Sequence, residues 1–216
     1  MSVHDVAPGL WIWRDAHPDW EPGLQWSEVV TSTCVESGGE VALLDPLAPA
    51  DDAADVWERL DARPPTMVAI LKPDHVRDVD LFVGRYGCRA FGPHWLWRDN
   101  IPETELEGIQ PGDELPGGLV ALYDGRGRVE TPLWLPEQRT LVFADGMTAP
   151  AGELVVWGPR GLWYVDPARG LVRRVSDTLA GASAGPVVEQ IGERLVAWTA
   201  DPDAFRLELD TGPRTP

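Results

Sequence analysis

The chemistry available to this 216-residue chain rests on few groups: four histidines, two cysteines, one lysine and an excess of carboxylates. His4, His17, His75 and His94 show no ligand spacing among themselves, whereas a metal site read directly from sequence needs imidazoles at short, regular intervals. Neither Cys34 nor Cys88 has a neighbouring histidine to activate a thiolate, and no G-x-S-x-G elbow is present. Gly125-Arg126-Gly127-Arg128 is too short to cradle a phosphate. Lys72, the only lysine, stands two residues before Asp74-His75. Taken singly, these residues have ordinary structural readings. Asp74 caps the helix that follows it, a role worth about 1 kcal/mol, and His75 is a hydrogen-bonded residue at that helix start. Lys72 is an exposed loop cation, and Asp145-Gly146 is a turn dipeptide. Trp95 and Trp97, in GPHWLWRDN, are placed to line the mouth of a cleft and stack on a sugar or aromatic ligand. Most of the eleven tryptophans are expected in the core or packed under loops.

The elements that must carry these residues belong to a soluble chain, with 44% hydrophobic and 25% charged residues. No apolar run reaches the roughly 18 residues that span a bilayer, and the first residues lack a basic leader. Two cysteines make no disulfide framework, so a reduced, cytoplasmic setting is expected. Eighteen Lys and Arg against 35 Asp and Glu leave −17 at pH 7, a surface that repels phosphate backbones and argues against nucleic acid. The length suits one domain, expected over residues 1–209, with a frayed tail at 210–216.

Leu10–Trp13 reads as a first strand. Glu28–Val35 and Glu40–Leu44 flank Gly38-Gly39 as a hairpin. A helix capped by Asp51 or Asp52 runs through Leu60 and stops at Arg63-Pro64-Pro65. Met67–Leu71 is a buried strand, and the spacing of Val76, Val79, Val83 and Tyr86 predicts a helix from His75 to about Tyr86, ended by Gly87. Leu119–Tyr123, Thr131–Leu135, Thr140–Ala144 and Glu153–Trp157 read as strands. Helices are expected near Pro167–Leu179 and Pro186–Gly192, with a last strand at Arg194–Trp198. Strands in both halves with helices between them fit mixed sheets covered by helices, an α/β (α+β) class.

Four segments in this order resemble the metallo-β-lactamase fold superfamily: VAPGLWIW, VALLDPLAP, MVAILKPDHVRDVDLFVGRYG and TPLWLPEQRTLVFADGM. The resemblance implies a four-layer αββα sandwich of two mixed sheets. It also implies a dinuclear metal centre built on an H-x-H-x-D-H loop, whose metals hold a hydroxide against a scissile carbonyl or phosphoryl group. Laid on that pattern, this chain departs from it. Ile70 and Lys72 occupy the places of the two leading histidines, Arg126 that of a later histidine, and Thr199 that of the last. Isoleucine and protonated arginine cannot ligate. Asp74, His75 and Asp145 keep their places, enough for one ion at most.

The expectation is a decayed metal centre in a catalytically degenerate protein that binds a small molecule or a protein partner, with no cofactor. One alternative is a hydrolase of a small ester, lactone or thioester using a single zinc, iron or manganese ion on Asp74, His75 and Asp145. A second is a metal-free scaffold or partner subunit. Lys72 and Arg126, entering where a metal would sit, are expected to neutralise Asp74 or Asp145, because close unpaired carboxylates are costly to bury. Ligand identity and oligomeric state are not written in the sequence.

Overall fold

The computed structural model describes residues 3–24, 26, 28–122 and 130–144, and after these only the strand segments 147–148, 155–156, 163–166, 171–174, 194–198 and 207–210. The chain forms two compact units, Met1–Gly108 and Ile109–Pro216.

The first unit is built on seven strands: β1 (His4–Ala7), β2 (Leu10–Ala16), β3 (Val29–Ser37), β4 (Glu40–Leu44), β5 (Met67–Ala69), β6 (Arg89–Gly92) and β7 (Glu107–Gly108). They lie side by side in chain order. β1 to β4 are antiparallel, with tight turns between β1 and β2 and between β3 and β4 and a longer segment, 17–28, between β2 and β3, and β4 to β7 are parallel. Parallel neighbours need crossovers, supplied by α1 (Ala54–Ala62) between β4 and β5 and α2 (Val79–Tyr86) between β5 and β6. The β3–β4 hairpin closes on Ser37 opposite Glu40, with Gly38 and Gly39 at φ 55° and 85°. Such a tight turn requires two left-handed residues, which glycine adopts without strain.

Trp11 and Trp13 alternate onto the face of β2 that packs against the helices. Their rings lie 5.5 Å apart, and Trp13 sits 6.3 Å from Phe82 of α2. Val56 and Leu60 of α1, Val79 and Phe82 of α2, and Val41, Leu43, Val68 and Ile70 complete this core. Leu10, Ile12, Leu44, Met67 and Ala69 are buried as well, so β2, β4 and β5 read as continuous apolar runs rather than alternating ones. Truncating Trp13 to Ala would cost about 3–5 kcal/mol by the usual cavity argument.

The second unit begins with β8 (Glu114–Leu115), β9 (Leu119–Ala121), β10 (Leu133–Leu135) and β11 (Thr140–Val142). It continues with β12 (Met147–Thr148), β13 (Val155–Val156), β14 (Trp163–Asp166), β15 (Leu171–Arg174), β16 (Arg194–Trp198) and β17 (Leu207–Asp210). Six of these form a sheet in the order β17-β16-β11-β10-β9-β8, with β11 and β16 parallel. The Leu-Pro-Glu hairpin joins β10 to β11, with Leu135 paired to Thr140 and Arg139 left-handed at φ 52°. β12–β13 and β14–β15 are separate two-stranded ribbons.

Several expectations are corrected. α2 begins at Val79, not His75, because Arg77 is left-handed at φ 46° and breaks the helical path; Asp74 is therefore a loop residue and caps no helix. α1 starts at Ala54 with Ala53 at its N-cap, and neither Asp51 nor Asp52 caps it. Leu171–Arg174, expected within a helix, is a strand paired with β14 through Val165–Val172 and its neighbours; cross-strand pairing overrides a weak local preference. β6 and β17 are strands that periodicity did not single out, and β17 carries Asp210, the first residue of the expected tail. The helix expected near Pro186–Gly192 lies outside the described residues. Among the described residues, no helix is long and apolar enough to cross a membrane.

Candidate functional site

The parallel register of β4, β5 and β6 brings their C-terminal ends to one edge of the first sheet. Asp45 directly follows β4, residues 70–78 follow β5, and residues 93–106 follow β6. Loops at the carboxyl ends of parallel strands are where such sheets hold ligands.

The loop after β5 separates its residues into core and cleft. Ile70 is fully buried in the hydrophobic core, its N–H bonded to Phe91 O at 2.8 Å. Lys72 is buried too, which corrects its reading as an exposed loop cation. Its Nζ lies 2.5 Å from Asp74 Oδ2, with side chains 7% and 24% exposed. The backbone turns tightly here, His75 N donating to Lys72 O at 2.9 Å, and Asn100 Nδ2 reaches Asp74 O at 3.4 Å from the loop after β6. Asp74 Oδ1 is buried with no hydrogen-bond donor among the described residues.

His75 turns away from Asp74 toward Asp45, with Nδ1 2.8 Å from Asp45 Oδ2. An ionised carboxylate only accepts, so His75 donates through Nδ1 and its neutral tautomer keeps the lone pair on Nε2. The other Asp45 oxygen, Oδ1, accepts the N–H of Leu71 at 2.7 Å. Asp45 itself is left-handed at φ 45°, a conformation that Asp tolerates better than most residues. Arg77 holds that kink in place by donating to Asp45 O and to Thr31 O. Asp78 Oδ2 accepts from Ala48 N at 2.6 Å, tying the end of the loop to the segment after β4.

Sequence reasoning missed Asp45, Arg77 and Asn100 as parts of this site. A signal for Asp45 exists in its place at a strand end ahead of Pro46, but its partners are 26 and 30 residues away. In the second unit Glu130 is buried and its carboxylate accepts from Ala144 N at 3.1 Å, a further buried acid that no motif marks. Asp145, Arg126 and Thr199 lie outside the described residues.

Trp95 and Trp97 sit on the loop after β6 and are half exposed. A depression of about 400 Å³ lined by Asp51, Trp57, Leu81 and Arg85 contains none of the candidate residues. Burial pushes the thiols of Cys34 and Cys88 up, Cys34 far above the usual range, which disfavours the reactive thiolate at both.

The described residues do not fit a metal ion. No three His, Cys, Asp or Glu among them are grouped closely enough to hold one. An ammonium sits on Asp74 Oδ2, whereas the contact of His75 Nδ1 with Asp45 does not by itself prevent ligation through Nε2.

Neither a protein-family model nor a curated protein sequence matches the chain. Solved structures do match. A metallo-beta-lactamase from Pontibacter korlensis is 13% identical, over 70% of this chain and 74% of that one, with a TM-score of 0.53. The DIM-1 metallo-beta-lactamase is 11% identical over 69% and 72%, TM-score 0.52. The metallo-beta-lactamase IND-7 is 16% identical over 69% and 73%, TM-score 0.51. At such identities the likeness shows the fold alone: this chain has the metallo-β-lactamase fold that its sequence segments resemble.

Proposed function

We propose that this chain is a catalytically degenerate protein of the metallo-β-lactamase fold, in which a buried ammonium replaces a metal and the domain works by binding rather than by hydrolysis. The observation that carries this reading is the Lys72–Asp74 pair at 2.5 Å. A divalent cation next to a buried ammonium would face like-charge repulsion in a medium that screens poorly. Ile70, committed to the core, leaves the first ligand position without a donor. The Asp45–His75 contact serves the same reading as a structural anchor, fixing the loop after β5 to the end of β4. The reduced, cytoplasmic setting belongs to the same proposal and is supported by two free, buried cysteines.

The second reading is a mononuclear hydrolase using Asp74, His75 and Asp145. It is favoured by one observation, the buried Asp74 Oδ1 without a donor, since an orphaned carboxylate oxygen is what a metal or its bound water would satisfy. Elemental analysis of protein purified without chelator, followed by zinc titration calorimetry, separates the two. Clearly less than one tightly held zinc, iron or manganese ion per chain is expected. One ion lost in Asp74→Asn would establish the mononuclear reading instead, and two ions would refute the replacement of Ile70 and Arg126 for imidazoles.

A further inference from the structure

We propose that the loop joining β6 to β7 is a docking surface for a basic, amphipathic peptide segment of a partner protein. Trp95, Trp97 and Ile101 supply its apolar contacts, and Asp99, Glu103 and Glu105 its charge complement. The three apolar residues are 50%, 54% and 67% exposed within seven positions of the chain. Isolated exposed apolar residues need no explanation; here three fall within one short loop that also carries the acids. Tryptophan is the residue most enriched among the side chains that dominate binding.

The exposure is built in. Leu96, between the two tryptophans, packs against the hydrophobic core and so does Leu106; the chain is thereby held with its neighbours Trp95 and Trp97 outward. Asn100 N closes a turn on Trp97 O at 2.9 Å. The Asp80 carboxylate of α2 accepts the N–H groups of Glu103 at 2.9 Å and Thr104 at 2.8 Å. Pinned at both ends and in the middle, the loop presents its aromatics at little further ordering cost, which favours affinity.

Charge selects the occupant. Asp99, Glu103 and Glu105 are exposed on the same loop against one exposed cation, Arg98, on a chain of net charge −17. Anionic lipid and nucleic acid would be repelled. Lysine and arginine suit both components, since their ammonium or guanidinium groups pair with carboxylates and bind indole faces while their stems cover apolar surface. The contacts run over eleven residues, 95–105. A small cation would instead need aromatic walls within about 6 Å of one point, which competition with tetramethylammonium tests. This inference is independent of whether Asp74 meets a metal.

Fluorescence anisotropy with the full chain and a fluorescein-labelled decapeptide of alternating Lys and Leu tests it. Saturable binding is expected, with a blue shift in tryptophan emission. Trp95→Ser/Trp97→Ser should weaken binding on the order of tenfold or more. Glu103→Gln/Glu105→Gln should weaken it about threefold at low salt and hardly at all at about 0.5 M NaCl, where exposed charges are screened. Both double variants should melt with the parent. If the tryptophan variant melts early, the charge variant decides, and unchanged low-salt affinity in it overturns the proposal. Absence of binding, equal binding of a Glu/Leu decapeptide, or unchanged affinity in a folded Trp95→Ser/Trp97→Ser protein also overturns it. Displacement by tetramethylammonium would show a small-cation site in its place.

Discussion

The loops after β5 and β6 leave the same edge of the same sheet and invert each other's chemistry. The first takes charge inward: Lys72 is buried, Asp74 and His75 are only partly exposed, and the buried Asp45 at the end of β4 bonds to it. The second turns apolar surface outward, leaving Trp95, Trp97 and Ile101 half exposed or more. Burying charge is costly unless each group is paired, and in the first loop the pairing is extensive, although Asp74 Oδ1 has no donor among the described residues. The second loop carries its exposed aromatics on a backbone pinned by Asp80, Leu96 and Leu106. If the loop after β6 is the proposed docking surface, stability and binding are divided between neighbouring loops. Changes in the first loop should act on folding, and changes in the second on recognition.

The largest effect is expected at Asp45. Asp45→Ala removes the acceptor of both Leu71 N–H and His75 Nδ1, leaves the buried Leu71 N–H without that partner, and places alanine at a left-handed φ of 45°. Urea denaturation should show a loss of about 3 kcal/mol or more; a loss under about 1 kcal/mol would mean the dyad is not structural. Lys72→Met comes next, at about 2 kcal/mol, between the values for fully buried and fully exposed pairs because Asp74 is partly open. Lys72→Met/Asp74→Asn should recover most of that loss, and a double-mutant cycle showing no coupling would dissolve the pair as an energetic unit. By contrast, Trp95→Ser and Trp97→Ser should each leave stability within about 0.5 kcal/mol of the parent. A large drop in Tm for either would erase the division between the two loops.

A smaller test lies on α2, outside both loops. Burial, aided by the hydrogen bond to Asp61, pushes the Tyr86 phenol up to about 12. The unfolded chain loses that proton near 10, so between about pH 10 and 12 it binds fewer protons than the folded protein and stability falls as pH rises. Tyr86→Phe should flatten this part of the stability profile, and an identical slope in the variant would assign it to other groups.

Much of the framework is legible in the sequence for local reasons. Gly38-Gly39 specifies its turn because both positions need positive φ. Continuous apolar runs such as Met67–Leu71 (MVAIL) mark β5 because strands buried on both faces tolerate no polar alternation. The start of α2 was not legible, because the left-handed Arg77 that breaks the periodic pattern is held by carbonyls of Thr31 and Asp45, 46 and 32 residues distant. β15 was not legible either. Its four residues become a strand only by pairing with β14.

Laid on the motif it resembles, the sequence by itself determined which residue types stand at the ligand positions: Ile70 cannot ligate and Lys72 is no imidazole, so ordinary two-metal chemistry is disfavoured before any fold is known. It also determined the acidic balance and the order of segments, because these depend only on residue types and local spacing. Tertiary structure alone decided what Lys72 and His75 face. The crossover through α1 brings Asp45 beside the loop after β5, where it accepts a hydrogen bond from His75 Nδ1, and the tight turn at Asp74 brings the ammonium of Lys72 onto the Asp74 carboxylate. Interaction energies between charges depend on separation and burial, and neither quantity exists until strands distant in the chain are packed side by side.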